Sequence, residues 1–104
     1  MPKPSIYVND EAAEAFRNHI LDILKLLGLT QAVFCEHAGV TRQMLHSWVK
    51  RKHDIRPATF YGMMYVLLDL ATESSMSVVY CLKARDMIKS IIELSKTGGF
   101  KGAK

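Results

Sequence analysis

The sequence predicts an all-α fold, a compact bundle of about five helices, and three observations predict it. Apolar residues recur at helical spacing along the whole chain, and no stretch alternates long enough to read as a strand of useful length. Residues that start and stop helices fall between the apolar stripes, among them Asn9, Gly28, Thr30, Gly39, Thr41 and Pro57. With 104 residues and a 49% apolar composition, the chain suits one small domain, or one domain with a short appendage, and is too apolar for wholesale disorder.

The first helix begins at Asn9 or Asp10, either of which can cap it, and Asp10, Glu11 and Glu14 suit its positive end. Ala13, Phe16, Ile20, Ile23, Leu24 and Leu27 form its apolar stripe, and Gly28 stops it. Thr30 caps a short second helix, Gln31 to Ala38, with Phe34 and Ala38 on one face and Gly39 as the break. Thr41 caps a third helix that runs from Arg42 to about Arg51. "KHDIRP" is a loop, and Pro57 fits the first turn of a fourth helix reaching about Ala71. Its stripe is Phe60, Met63, Met64, Leu67, Leu68 and Ala71, the methionines serving as core filler. Polar "TESS" separates a fifth helix, from about Met76 to Ser95, and the Gly- and Lys-rich tail "KTGGFKGAK" reads as mobile. The expected division is therefore residues 1–72 as the principal domain and 73–104 as a C-terminal helix with a flexible basic tail.

Net charge is +4, and its distribution says more than its size. Residues 1–41 carry a net −2, residues 42–56 a net +4, residues 57–72 a net −1 and residues 73–104 a net +3. A basic patch focused in this way suits a polyanion, though a solvated lysine-rich loop gives the same arithmetic. No apolar run approaches the roughly 18 residues of a membrane span, and "MPKPSIYVNDEAAEAF" lacks the apolar centre of a signal peptide. A cytoplasmic, nucleoid-associated location is the expectation. Cys35 and Cys81 are too few for a disulfide framework, and both fall in helical patterns as buried reduced thiols.

The third helix is lopsided. At about 100° per residue, with Arg42 at zero, His46 falls near roughly 40°, Lys50 near 80°, Gln43 near 100° and Ser47 near 140°. Met44, Trp48 and Leu45 fall near roughly 200°, 240° and 300°. The polar arc contains no carboxylate, whereas ordinary solvated helix faces favour Glu, Lys and Ala. Arg forks onto guanine, Gln pairs bidentately with adenine, Ser reaches either kind of base edge, and Lys or His reaches phosphate.

The preceding helix has what a close helix–turn–helix corner needs. Cys35 is small where two helices would pack, Gly39 tolerates positive φ at the turn, and Phe34, Ala38, Val40, Leu45 and Trp48 supply apolar anchors. "GLTQAVFCEHAGVTRQMLHSW" resembles the helix-turn-helix of the Cro/repressor-like (XRE-type) DNA-binding family, typified by lambdoid phage repressors. The resemblance covers Thr30 to Trp48 and extends more loosely over residues 10–71. It implies a lambda-repressor-like fold with an extra C-terminal helix. It also implies that Gln31 and Thr41 touch phosphate, that Arg42, Gln43, Ser47 and His46 face bases, and that Lys50, Arg51 and Lys52 grip the backbone. Two positions depart from the pattern: Cys35 stands for the commoner Ala, and Arg51 stands near a frequent Gly.

The resemblance and the basic face together lead to the expectation of a sequence-specific transcriptional regulator, a phage or prophage repressor that binds a palindromic operator on double-stranded DNA as a homodimer. Tyr80, Ala84, Met87, Ile88, Ile91 and Leu94 make a seam on the fifth helix, as a dimer or partner surface or, equally, as a face folded back onto the chain's own domain. The chain has no room for the peptidase domain of full-length lambdoid repressors, so release would fall to an antirepressor or a competing regulator. An antitoxin using residues 73–104 against a toxin protein, and an interaction module without DNA, are the other readings. An enzyme is not expected, because no base shares a face with Cys35 and no phosphate-binding loop follows a strand. Neither a metal nor a cofactor is expected: Cys35 and His37 diverge on a helix, His46 and His53 lie on different elements, and no CxxC or HxxxH occurs.

Overall fold

The computed structural model describes residues 6–102. Its elements are β1 (Tyr7–Val8), α1 (Asp10–Leu26), α2 (Gln31–Ala38), α3 (Arg42–Val49), α4 (Pro57–Glu73), α5 (Val78–Thr97) and β2 (Phe100–Lys101). The five expected helices are present, and their starts are set by side chains. Asn9 Oδ1 accepts the Ala12 N–H at 2.9 Å, Thr30 Oγ1 that of Val33 at 3.2 Å, and Thr41 Oγ1 that of Met44 at 3.0 Å. Pro57 opens α4, whose N-cap Arg56 makes no side-chain cap bond. Ser77 caps α5, so that helix starts two residues later than expected and ends at Thr97.

One core joins all five helices. Phe16, Ile20 and Ile23 of α1 pack with Phe34 of α2, Leu45 of α3, the loop residue Ile55, and Phe60, Met63, Met64 and Leu67 of α4. Phe16 and Phe60 meet edge to face with centroids 6.4 Å apart. Ala84, Ile88, Ile91 and Ile92 of α5 complete the same cluster.

This overturns the expected dimer seam. Ala84, Ile88 and Ile91 are buried inside their own chain, Met87 and Leu94 are half-buried, and only Tyr80 is exposed. The reason is chain connectivity: α1 and α4 carry apolar surface that needs a cover, and α5 arrives tethered beside them. The tether is fixed where Ser74 Oγ donates to the Leu27 carbonyl at 3.0 Å and accepts the Met76 N–H at 3.1 Å. The expected division at residues 72 and 73 therefore does not separate two cores, and α4 itself extends to Glu73.

The tail differs as well. Phe100–Lys101 pairs antiparallel with Tyr7–Val8, in the register Tyr7↔Lys101 and Val8↔Phe100. The last two residues of the expected tail and residues 1–5 lie outside the described residues. Cys81, expected to be buried, is only half-buried, while Cys35 is buried, and both are free thiols.

Asn9 holds the two ends of the chain together. While its Oδ1 caps α1, its Nδ2 donates to the carbonyls of Leu94 (3.1 Å), Ser95 (3.3 Å) and Gly99 (2.8 Å), at the end of α5. A Cβ on Gly98 would approach Asn9 Nδ2 to 2.6 Å, so the side chain needs glycine there. Asn9→Ala removes a helix cap and the donor to the Ser95 and Gly99 carbonyls, while the Leu94 carbonyl keeps the Gly98 N–H, at a cost of about 1–3 kcal/mol. Asn9→Asp keeps the cap acceptor but turns a carboxylate oxygen toward those three carbonyls, so it should be no more stable than Asn9→Ala. Urea midpoints at constant m-value check both, and an Asn9→Ala protein as stable as the parent contradicts the double role.

Candidate nucleic-acid interface

The α2–α3 corner is built from backbone requirements. Gly39 closes α2 at φ +69°, and the Val40 N–H reaches back to the Cys35 carbonyl at 3.1 Å. A Cβ on Gly39 would meet nothing within 4 Å, so the position demands the left-handed conformation rather than space. Phe34 and Cys35 on α2, and Leu45 and Trp48 on α3, are buried as expected. Burial raises the Cys35 thiol above the usual cysteine range, and the nearby Arg42 charge offsets this in part.

Those anchors turn the other side of α3 outward. Arg42, Gln43, His46 and Lys50 are exposed, as is the cap Thr41, and Ser47 is half-buried. Arg51 and Lys52 are exposed on the loop after α3. Gln31, at the start of α2, is exposed and shares a shallow cleft with His46, Lys50 and Leu21. The structure thus leaves the expected base-facing and phosphate-facing residues exposed, with Ser47 half-buried, and brings Gln31, His46 and Lys50 together at one cleft. Among the described residues, no carboxylate pairs with Arg42, Lys50, Arg51 or Lys52. Met44 departs from its expected place on the apolar arc, being 40% exposed at the edge of this surface.

The third helix ends at Val49, two residues before the expected Arg51, and Arg17 accounts for much of the geometry there. Its Nε donates to the Trp48 carbonyl at 2.8 Å and its Nη2 to the His53 carbonyl at 3.2 Å, while the His53 N–H donates to the Ser47 carbonyl at 3.1 Å. Chain direction reverses through Lys52, which sits at φ +57°. The residue in the left-handed region is therefore Lys52 rather than Arg51, the position at which the family resemblance suggested a glycine. Sequence reasoning missed Arg17, because nothing local marks a base on α1 as the brace of a helix 31 residues away.

Asp54 is the one carboxylate of the basic segment 42–56. Its Oδ1 lies 2.6 Å from Lys101 Nζ, which is also 2.6 Å from Asp10 Oδ1. Hydrogen bonds to Asp10 and Asp54 hold the Lys101 ammonium charged above the usual lysine range, and the bond from Lys101 holds Asp10 below the usual carboxylate range.

Among the described residues, no group of three or more His, Cys, Asp or Glu is placed to hold a metal ion, and no helix is long and apolar enough to cross a membrane. Compared with protein-family models, with curated proteins and with solved structures, the chain matches none.

Proposed function

We propose that this protein is a sequence-specific DNA-binding transcriptional regulator that acts as a dimer, in the manner of the Cro/repressor-like family its α2–α3 segment resembles. The observation that carries this reading is the outer face of α3, where Arg42, Gln43, His46 and Lys50 stand exposed with no carboxylate among them. Such a face fits a major groove, because phosphates repel carboxylates and attract Lys and Arg. In this reading Arg42, Gln43, Ser47 and His46 read base edges. Gln31, Thr41, Lys50, Arg51 and Lys52 hold phosphates, and exposed Met44 is free to meet a thymine methyl. Arg17 acts at one remove: by holding the Trp48 and His53 carbonyls it fixes where α3 ends and where Lys52 projects.

Selection from random duplexes, with footprinting of the enriched site, tests the reading. A defined site with two related halves about one helical turn apart is the expected result. Its affinity should fall with salt, with a log–log slope of about −0.9 for each phosphate neutralised. Indifference to every duplex at low salt would leave the interaction-module reading instead.

One such helix covers few base pairs, so a second copy of the chain is needed. With Ala84, Ile88 and Ile91 committed to the core, the most exposed apolar surface for it is the opposite side of α5 at its first turns. There Val78 is 72% exposed, Val79 71% and Leu82 52%, flanked by exposed Tyr80 and Met76. Residues 74–82 carry no charge, so two copies meet there without repulsion. A patch of this kind is of the order of 500 Å², below the about 800 Å² per partner of a standard interface, and so fits a weak dimer that DNA consolidates. Val79→Glu should leave the melting temperature unchanged, because the side chain is exposed, yet keep the protein monomeric in sedimentation at concentrations where the parent self-associates. Self-association of Val79→Glu equal to the parent's would remove this surface from consideration.

The antitoxin reading is disfavoured by the same facts. It uses residues 73–104 against a toxin, whereas Ala84, Ile88, Ile91 and Ile92 of that segment are committed to the core. An antirepressor protein as the agent of release stays compatible with the fold, as a partner to be sought by co-purification.

A further inference from the structure

We infer that Lys101 is a positioning residue for DNA binding, acting through Asp54 on the segment after α3; the inference rests on the DNA-binding reading. Asp54 lies two residues beyond Lys52, inside the stretch whose bases are to grip phosphate. Left alone, its carboxylate would weaken the attraction of Lys50, Arg51 and Lys52 for the duplex. It would also face Asp10, since both carboxylates reach the same ammonium, and their repulsion would push the loop away from the start of α1. Lys101 offsets both effects, its one ammonium standing between the two carboxylates.

An exposed ion pair with free ends contributes little. Here both ends are held. Lys101 sits in β2, paired with Tyr7 of β1, and the residues before it are secured by the Asn9 bond to the Gly99 carbonyl. On the other side, the Val8 N–H donates to the Ile55 carbonyl at 2.9 Å, next to Asp54. Strand β1 thus carries the tail on one partner and the DNA-facing loop on the other, and the Lys101 ammonium is delivered to the gap between Asp10 and Asp54. With two carboxylates at 2.6 Å, that ammonium is not free to bind phosphate itself.

The test measures the affinity of the full chain for a mixed-sequence duplex across a salt series, well below each variant's melting temperature. Lys101→Ala should bind about 3–10-fold more weakly than the parent, with the same salt slope, and Lys101→Arg should bind as the parent does. Lys101→Ala with Asp54→Asn should return to within about twofold of the parent, because the charge to be neutralised is gone. Asp54→Asn alone should bind no more weakly than the parent, a measurement that stands even if Lys101→Ala fails to fold. Several outcomes overturn the inference: an unchanged Lys101→Ala, a double variant as weak as Lys101→Ala (a purely structural clasp), or a loss on Asp54→Asn. A salt slope smaller by about 0.9 in Lys101→Ala would do so too, by making Lys101 a direct phosphate contact. If the parent binds duplex while Lys101→Ala matches it, this inference alone falls; a parent that binds no duplex at low salt takes the DNA reading down with it.

Discussion

Trp48→Ala is expected to cost about 3–5 kcal/mol, the range for removing a large buried aromatic, a large share of the about 5–15 kcal/mol by which an ordinary domain is stable. Trp48 is one of two buried side chains on α3, the other being Leu45, and together they hold that helix to the core. Its backbone carbonyl is also the acceptor for Arg17, so collapse of the site would disturb the loop that carries Lys52. Because the chain has one tryptophan, tryptophan fluorescence is lost with the mutation, and far-UV circular dichroism in urea is the proper measure. Arg42→Ala, on the exposed side of the same helix, should fall within about 0.5 kcal/mol of the parent. Equal unfolding midpoints for the two variants would mean that the two faces of α3 are not divided as described.

That division was legible in the sequence because it is local. The starts of α1, α2 and α3 depend on Asn9, Thr30 and Thr41 reaching backbone N–H groups three residues on, and the α2–α3 corner depends on Gly39; each is a choice made within one turn of helix. Sorting apolar from polar residues around α3 needs only its period, and it failed only for Met44, which lies at the boundary of the arc. What could not be read is whatever depends on distant partners. An apolar stripe on α5 declares that something covers it, but not whose surface that is, and α1 and α4 of the same chain supplied it. The pairing of Phe100–Lys101 with Tyr7–Val8, and the bond from Asn9 to the Gly99 carbonyl 90 residues away, leave no trace in local composition. Arg17 and Lys101 are ordinary surface bases until the fold sets carbonyls or carboxylates before them. Lys52 belongs to the same class: its positive φ occurs beside His53, which Arg17 and the Ser47 carbonyl hold by hydrogen bonds.

On its enriched site, Arg42→Ala or Gln43→Ala should lose about 1–3 kcal/mol of discrimination each, a fall of about 5- to 150-fold in preference for that site over a duplex altered at the base read. The loss should appear at different base positions for the two residues, since Arg and Gln offer their paired donors and acceptors to different purine edges. Lys50→Ala and Arg51→Ala should behave otherwise. They should weaken binding to all duplexes by similar factors and reduce the salt slope by about 0.9 each, because a phosphate contact carries no base information. In a dimer each substitution occurs in both half-sites, so the full operator should show a larger effect than a duplex holding one half. Anisotropy titrations on matched and altered duplexes at two salt concentrations separate the classes. If Arg42→Ala and Gln43→Ala lower affinity evenly across sequences while Lys50→Ala alters sequence preference, the face that reads bases is not the one formed by residues 42, 43, 46 and 47. α3 would then meet the duplex by its C-terminal end, along the segment that Arg17 and Lys101 hold in place.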